Sequence, residues 1–184
     1  LNQSPLLAGD VYALQVSCVD NNQQFGQGCE IGQGAWVGVT AANARVDAYN
    51  AGATGYYRPE DLHDDPAYTG GGVRVGWTNT GDAAAENYGE VMCGIDRAPL
   101  TANSTRTVTV NRLVEGDADF NQPDNLAFQP GTRNTYVIED NSHGDIWACL
   151  PDGADRDIKT DGCVKMLSVV DSSAEPTGFL FSGD

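Results

Sequence analysis

Arg58 and Glu60 stand two residues apart in the run RPEDL, and comparable polar residues recur beside later prolines. Asp124 and Asn125 follow Pro123 in QPDNL, and Glu175 precedes Pro176 in EPTGF. A second acidic pair, Glu139 and Asp140, closes the run NTYVIED at the place where the first repeat carries Asn79. An arginine beside carboxylates is chemistry for oxyanions, because a planar guanidinium matches two phosphate oxygens at once. Carboxylates gathered from several loops repel one another unless a cation sits among them, and hard cations such as calcium take oxygen ligands. The candidate site is therefore Arg58 for an anion, with Glu60, Asp124, Glu139, Asp140 and Glu175 for a cation. Each acid also has a plainer reading. An acidic residue next to proline is a common turn device, and Glu-Asp at a strand end is an ordinary solvated edge. Recurrence at matching places in three units favours the functional reading.

Other constellations say less. Asp152, Asp155, Asp157 and Asp161 alternate like the oxygen ligands of a calcium loop, but lack the glycine and glutamate spacing of an EF-hand. His63 and His143 are expected in loops and read as solvated rather than catalytic. No serine occupies a G-x-S-x-G elbow, which argues against a hydrolase of that type. Asn2-Gln3-Ser4 and Asn103-Ser104-Thr105 are glycosylation sequons, meaningful only on a eukaryotic secretory route.

The elements that must position these residues are strands. Thr135–Ile138, Asp145–Cys149 and Thr107–Leu113 are short runs rich in β-branched and aromatic residues. Gly70-Gly71-Gly72, Pro130-Gly131 and Pro151-Asp152-Gly153 break them with turn chemistry. Asp10–Cys18 and Gly34–Thr40 read as two earlier strands, joined to the repeats by Thr40–Tyr49. One helical turn is expected near Ala83–Asn87, and nothing else holds a helical period, so the fold class is all-β. Pro59, Pro123 and Pro176 recur at roughly 50–65 residues, a little longer than the ~40–50 of propeller blades. The expectation is a β-propeller fragment of about two and a half to three blades, from a ring of probable six-bladed type. Residues 1–50 would end a preceding blade and link it, 51–121 and 122–174 would be blades, and 175–184 would start another. Missing blades would then supply the remaining sheet edges.

Composition narrows the partners. The 184 residues carry Lys+Arg 10 against Asp+Glu 26, a net charge of −16. So acidic a chain offers no basic footprint for nucleic acid. No apolar run reaches the ~20 residues of a membrane helix. Of five cysteines, Cys18 and Cys29 bracket one polar loop, and Cys149 and Cys163 bracket another. Both loops look stapled by disulfides, which implies an extracytoplasmic (periplasmic, secreted or cell-surface) location. Cys93 is left over as a small buried hydrophobe.

The segments GATGYYRPEDLHDDP, YGEVMCGID, FNQPDNLAFQPGTRNTYVIED, ACLPDGADRDIKTDGCV and SSAEPTGF together resemble the PhoX-type alkaline phosphatase family. The likeness runs from about Gly52 to the last residue. It implies an exported six-bladed propeller that hydrolyses phosphate monoesters at an iron–calcium cluster in its channel mouth. Carried onto this chain, Arg58 would contact phosphate, Glu60 would ligate metal, and Asp124, Glu139, Asp140 and Glu175 would be further ligands. Two parts of the pattern are not in this sequence: the upstream cysteine-bearing segment with Cys-Glu-Glu, and a histidine-bearing segment after Glu175. The resemblance therefore implies a phosphatase that is active only with the rest of the propeller. The competing class is a non-catalytic, calcium-stabilised binding or structural propeller, and a third is a lactonase-like or sugar-binding one.

Overall fold

In the computed structural model the described residues are 9–16, 30–101, 105–151 and 162–182. Among them, ten antiparallel strands make two sheets. The first sheet holds β1 (Val11–Val16), β2 (Gly32–Val39), β3 (Pro59–Asp64), β4 (Val73–Asn79), β5 (Glu90–Asp96) and β6 (Val108–Glu115), in the order β1-β2-β6-β5-β4-β3. The second holds β7 (Pro123–Phe128), β8 (Thr135–Glu139), β9 (Asp145–Cys149) and β10 (Cys163–Ser168), in consecutive order. The all-β expectation holds. Both repeats, β3–β6 and β7–β10, are four-stranded meanders in which each strand pairs with the next. β1 and β2 extend the first meander through β2–β6 pairing, a connection with no signature in the sequence.

The repeat is visible in the register. Pro59 pairs with Asn79 and Pro123 with Glu139, and the ladder shifts just after each proline. Arg58 and Gln122, the residues before those prolines, both adopt left-handed backbone, φ 54° and 52°. Their carbonyls accept matching bonds, from Thr80 N at 2.9 Å and from Asp140 N at 2.8 Å. The left-handed region costs a non-glycine residue roughly 1–2 kcal/mol, so the surrounding pairing must hold each kink. An acid opens the third strand of each meander, Glu90 or Asp145, and a cation on the fourth strand meets it, Arg112 or Lys165.

Strand alternation sends side chains to both faces of the first sheet. One face packs on the second sheet through Val91, Cys93, Leu113 and Val114, which meet Leu126, Phe128, Val137 and Trp147. Burial of each large apolar side chain here is worth roughly 1.5–3 kcal/mol. Gly76 lies under the Phe128 ring, where an added Cβ would come within 2.7 Å of a ring carbon, so no larger residue fits. Between the sheets, buried Asp65 receives Arg74 at 2.5 Å from β4 and Arg133 at 2.9 Å from the second repeat. Arg74 Nε also lies 2.9 Å from Cys93 Sγ, and burial is the main reason that thiol's pKa is pushed up. The opposite face gathers Val16, Trp77, Met92, Val108 and Val110, with Leu14, Trp36 and Tyr56 against them.

Cys149 and Cys163 form a disulfide of S–S 2.05 Å between paired positions of β9 and β10, while Cys93 is free and buried. Cys18, Cys29 and the acidic loop from Asp152 to Asp161 lie outside the described residues, as do Asn2 and Asn103. The helical turn near Ala83 is a short 3-10 segment, Ala83–Ala85, begun by the Asp82 side chain accepting from Ala84 N. The linker at Thr40–Tyr49 contains a helix, α1 (Ala44–Asn50). Asp47 ties that helix back to Thr40 through the backbone N–H at 2.9 Å and the hydroxyl at 2.5 Å. Helix α1 buries none of its residues. Its lack of an apolar stripe is why periodicity did not reveal it. No helix among the described residues is long and apolar enough to cross a membrane.

Candidate functional site

β3 and β7, the first strands of the two meanders, lie side by side where the sheets meet. Polar bonds fix this junction. Asp61 Oδ2 accepts from Leu126 N at 2.9 Å, and the Thr78 and Thr80 hydroxyls donate to the carbonyls of Asp124 and Pro123 at 2.5 and 3.1 Å. The residues flanking both prolines are thereby brought to one rim. Arg58 is half-exposed there. Its guanidinium reaches Asp140 Oδ2 at 3.1 Å, Glu60 Oε1 at 3.8 Å and the Gly81 carbonyl at 3.3 Å.

Asp124 reports the charge around it. Burial pushes its carboxyl pKa up, and the negative charges of Asp140, Glu60 and Glu175 push it further, with only Arg58 opposing. Residues from the starts of two meanders and from the chain beyond β10 thus crowd one patch. Glu175 is held near by its downstream neighbours: Asn125 Oδ1 accepts from Thr177 Oγ1 at 2.9 Å and from Gly178 N at 2.8 Å. Tyr136, Phe179 and Phe181 stack together beyond it, with ring centroids 4.9–5.4 Å apart. Of the six residues singled out in the sequence, Arg58, Glu60, Asp124, Asp140 and Glu175 meet at this rim.

Glu139 does not join them. It is 2% exposed and braces the interior. Its Oε1 accepts from Asn121 N at 2.9 Å and Trp147 Nε1 at 3.2 Å, and its Oε2 from Asp145 N at 3.0 Å. Burial raises its pKa, and these three donors pull it back down. Strand alternation separates it from Asp140, since successive side chains point to opposite sides. His63, expected in a loop, instead lies within β3 paired with Gly76, 3.5 Å from Asp61, and His143 bonds the Val169 carbonyl at 3.0 Å.

Oxygen donors with mutual repulsion are the chemistry a hard cation answers, and after burial the negative charges of Asp140, Glu60 and Glu175 push the Asp124 carboxyl further up. Among the described residues, however, no three His, Cys, Asp or Glu side chains come together closely enough to ligate one ion. The described free cysteine, Cys93, is buried between the sheets against Arg74. What sequence reasoning missed was the junction itself, because the Asp61, Thr78 and Thr80 bonds that align β3 with β7 leave no periodic signal. Neither a family model, nor a curated protein, nor a solved structure matches this chain.

Proposed function

We propose that the rim binds a hard divalent cation, calcium by its donor set, beside an arginine that takes a phosphate ester. On this reading the two meanders are blades of a six-bladed propeller, the rim lies at the mouth of its channel, and the protein works outside the cytoplasm. The activity is hydrolysis of phosphate monoesters of the PhoX-like kind. The supporting observation is the convergence on Asp124 of Asp140, Glu60 and Glu175, opposed by Arg58 alone.

The chain's own groups have separable tasks. Glu60 and Asp140 hold Arg58 at the rim, and its fork would exchange them for phosphate oxygens. Asp124, Asp140, Glu60 and Glu175 would hold the cation, which when bound supplies positive charge to polarise phosphoryl oxygens. Arg58 adds charge that cannot be lost to solvent, since a guanidinium stays protonated. Other blades of the ring would complete the donor set.

A second reading has its own support: a calcium-stabilised propeller that binds or scaffolds without catalysis. It is favoured by Glu139, one of the expected ligands, being spent on structure.

Calcium titration of the intact protein with all its blades, followed by thermal unfolding and with 4-nitrophenyl phosphate turnover measured in parallel, separates the readings. The phosphatase predicts a calcium-dependent rise in Tm and a turnover that EDTA abolishes and Arg58→Ala cuts ~100-fold. A Tm rise without turnover selects the binding protein. No calcium response in either assay removes both.

A further inference from the structure

The first sheet curls until its two edge strands face the same space. β1, through Tyr12 and Leu14, and β3, through Pro59 to Leu62, wall one cavity of about 680 Å³. That volume falls within the roughly 300–1,000 Å³ of small-molecule sites. The surface inside it is mainly carbon, and the aromatic residues Tyr12, Trp36, Tyr56 and Trp77 are among those that line it. Tyr56 meets Trp77 edge to face, with ring centroids 5.4 Å apart.

The polar tips of two of these rings are already used by the protein. Trp36 Nε1 donates to Asp96 Oδ2 at 2.8 Å, and the Tyr56 hydroxyl donates to the Glu30 carbonyl at 3.0 Å. Those rings thus give the cavity π-surface rather than hydrogen-bond donors. Among the described residues, the charged groups in the wall are carboxylates, those of Glu60, Asp61 and Asp96, and no lysine, arginine or histidine lines it.

We propose that this cavity binds an amphipathic organic cation, an alkyl- or aryl-ammonium. Its apolar body would lie among the rings, and its positive charge beside the acids. Charge complementarity decides the ligand class. Ring faces attract cations through the aromatic quadrupole, and the carboxylates and the net charge of −16 act in the same direction. An organic anion would face the carboxylates of Glu60, Asp61 and Asp96 in that wall. A sugar would find acceptors, but few donors for its own oxygens. The proposal is independent of the phosphatase reading, although Glu60 borders both sites.

The test titrates the intact chain with benzyltrimethylammonium, its uncharged isostere neopentylbenzene, and benzoate, reading tryptophan fluorescence and calorimetric heat. The ammonium should bind ~10-fold or more tightly than the isostere, and benzoate should not bind. Glu60→Gln, at an exposed position, and Asp96→Asn should each weaken the ammonium several-fold while leaving the isostere unchanged. Trp36→Leu should weaken both. Equal affinity for the ammonium and its isostere would overturn the proposal, as would binding of benzoate or no binding of any probe. So would sedimentation showing a dimer whose formation the ammonium does not oppose, since a second copy would then fill the cavity. If Trp36→Leu fails to fold, the comparison of the three probes on the unaltered chain still decides.

Discussion

The two meanders share a register, a kinked entry and an acid–cation brace, yet they meet solvent differently. In the first, β6 is covered on its outer side by β2, and Arg112 is 3% exposed at its side chain between Glu90 at 2.6 Å and Glu30 at 3.5 Å. In the second, β10 is an outer strand, and Lys165, at 37% exposure, pairs with Asp145 and covers the Trp147 ring. Burial selects the fork: a guanidinium satisfies two acids in a dry site, whereas an ammonium on a flexible stem suits a wet edge. The second meander gains a disulfide at the same strand pair, where the first has Cys93 without one. A strand flanked on both edges is held by its neighbours. An outer strand is held by a covalent staple.

The sharpest way to break this contrast is Arg112→Leu. It takes the guanidinium away from Glu90 and Glu30 in the interior, and removal of one partner from a buried ionic group costs about 3–5 kcal/mol. Urea unfolding should show that loss, and a loss below about 1 kcal/mol would make the two braces equivalent. Cys149→Ser with Cys163→Ser comes next. A loop of this length is worth about 3 kcal/mol in the chain-entropy account, so the denaturant midpoint should fall, and dithiothreitol should mimic the change on the unaltered chain. Lys165→Met should cost less than Arg112→Leu, because the ammonium is partly exposed although its partner Asp145 is buried.

The smallest effect belongs to the rim, and it has the opposite sign. The folded state raises the pKa of Asp124, so folding favours the protonated acid. Its contribution is best at low pH and is lost as pH rises from the ordinary aspartate value through the raised one. Asp124→Asn should therefore stabilise the calcium-free protein near neutrality, by under about 1 kcal/mol after solvent screening. The gain should vanish at acidic pH and reverse in saturating calcium. Differential scanning calorimetry across pH, with and without calcium, reads all three.

Much of the fold was legible because strands announce themselves locally. Asp145–Cys149 was bounded by its composition alone, and Thr107–Leu113 came within two residues at its far end. The meander repeat followed from proline spacing. The β2–β6 pairing was not legible, since Gly32–Val39 carries no mark of its partner, and α1 lacks an apolar face. At the rim, residue type and recurrence picked out five groups that do assemble. They also picked Glu139, because sequence shows that a glutamate ends a strand but not which side of the sheet it faces. The cavity was missed for a related reason. Its walls come from strands far apart in the chain, and only the curl of the sheet makes them neighbours.

The paired kinks before Pro59 and Pro123 make the entry to each meander an interchangeable socket. The backbone bend is the same at both places, yet one presents a permanent cation and the other a neutral amide. Side-chain identity there is uncoupled from the scaffold, so charge could be moved from one entry to the other by exchanging Arg58 and Gln122 without redrawing a strand. A fold with such sockets can change what it attracts by single substitutions, while the parts that keep it folded stay as they are.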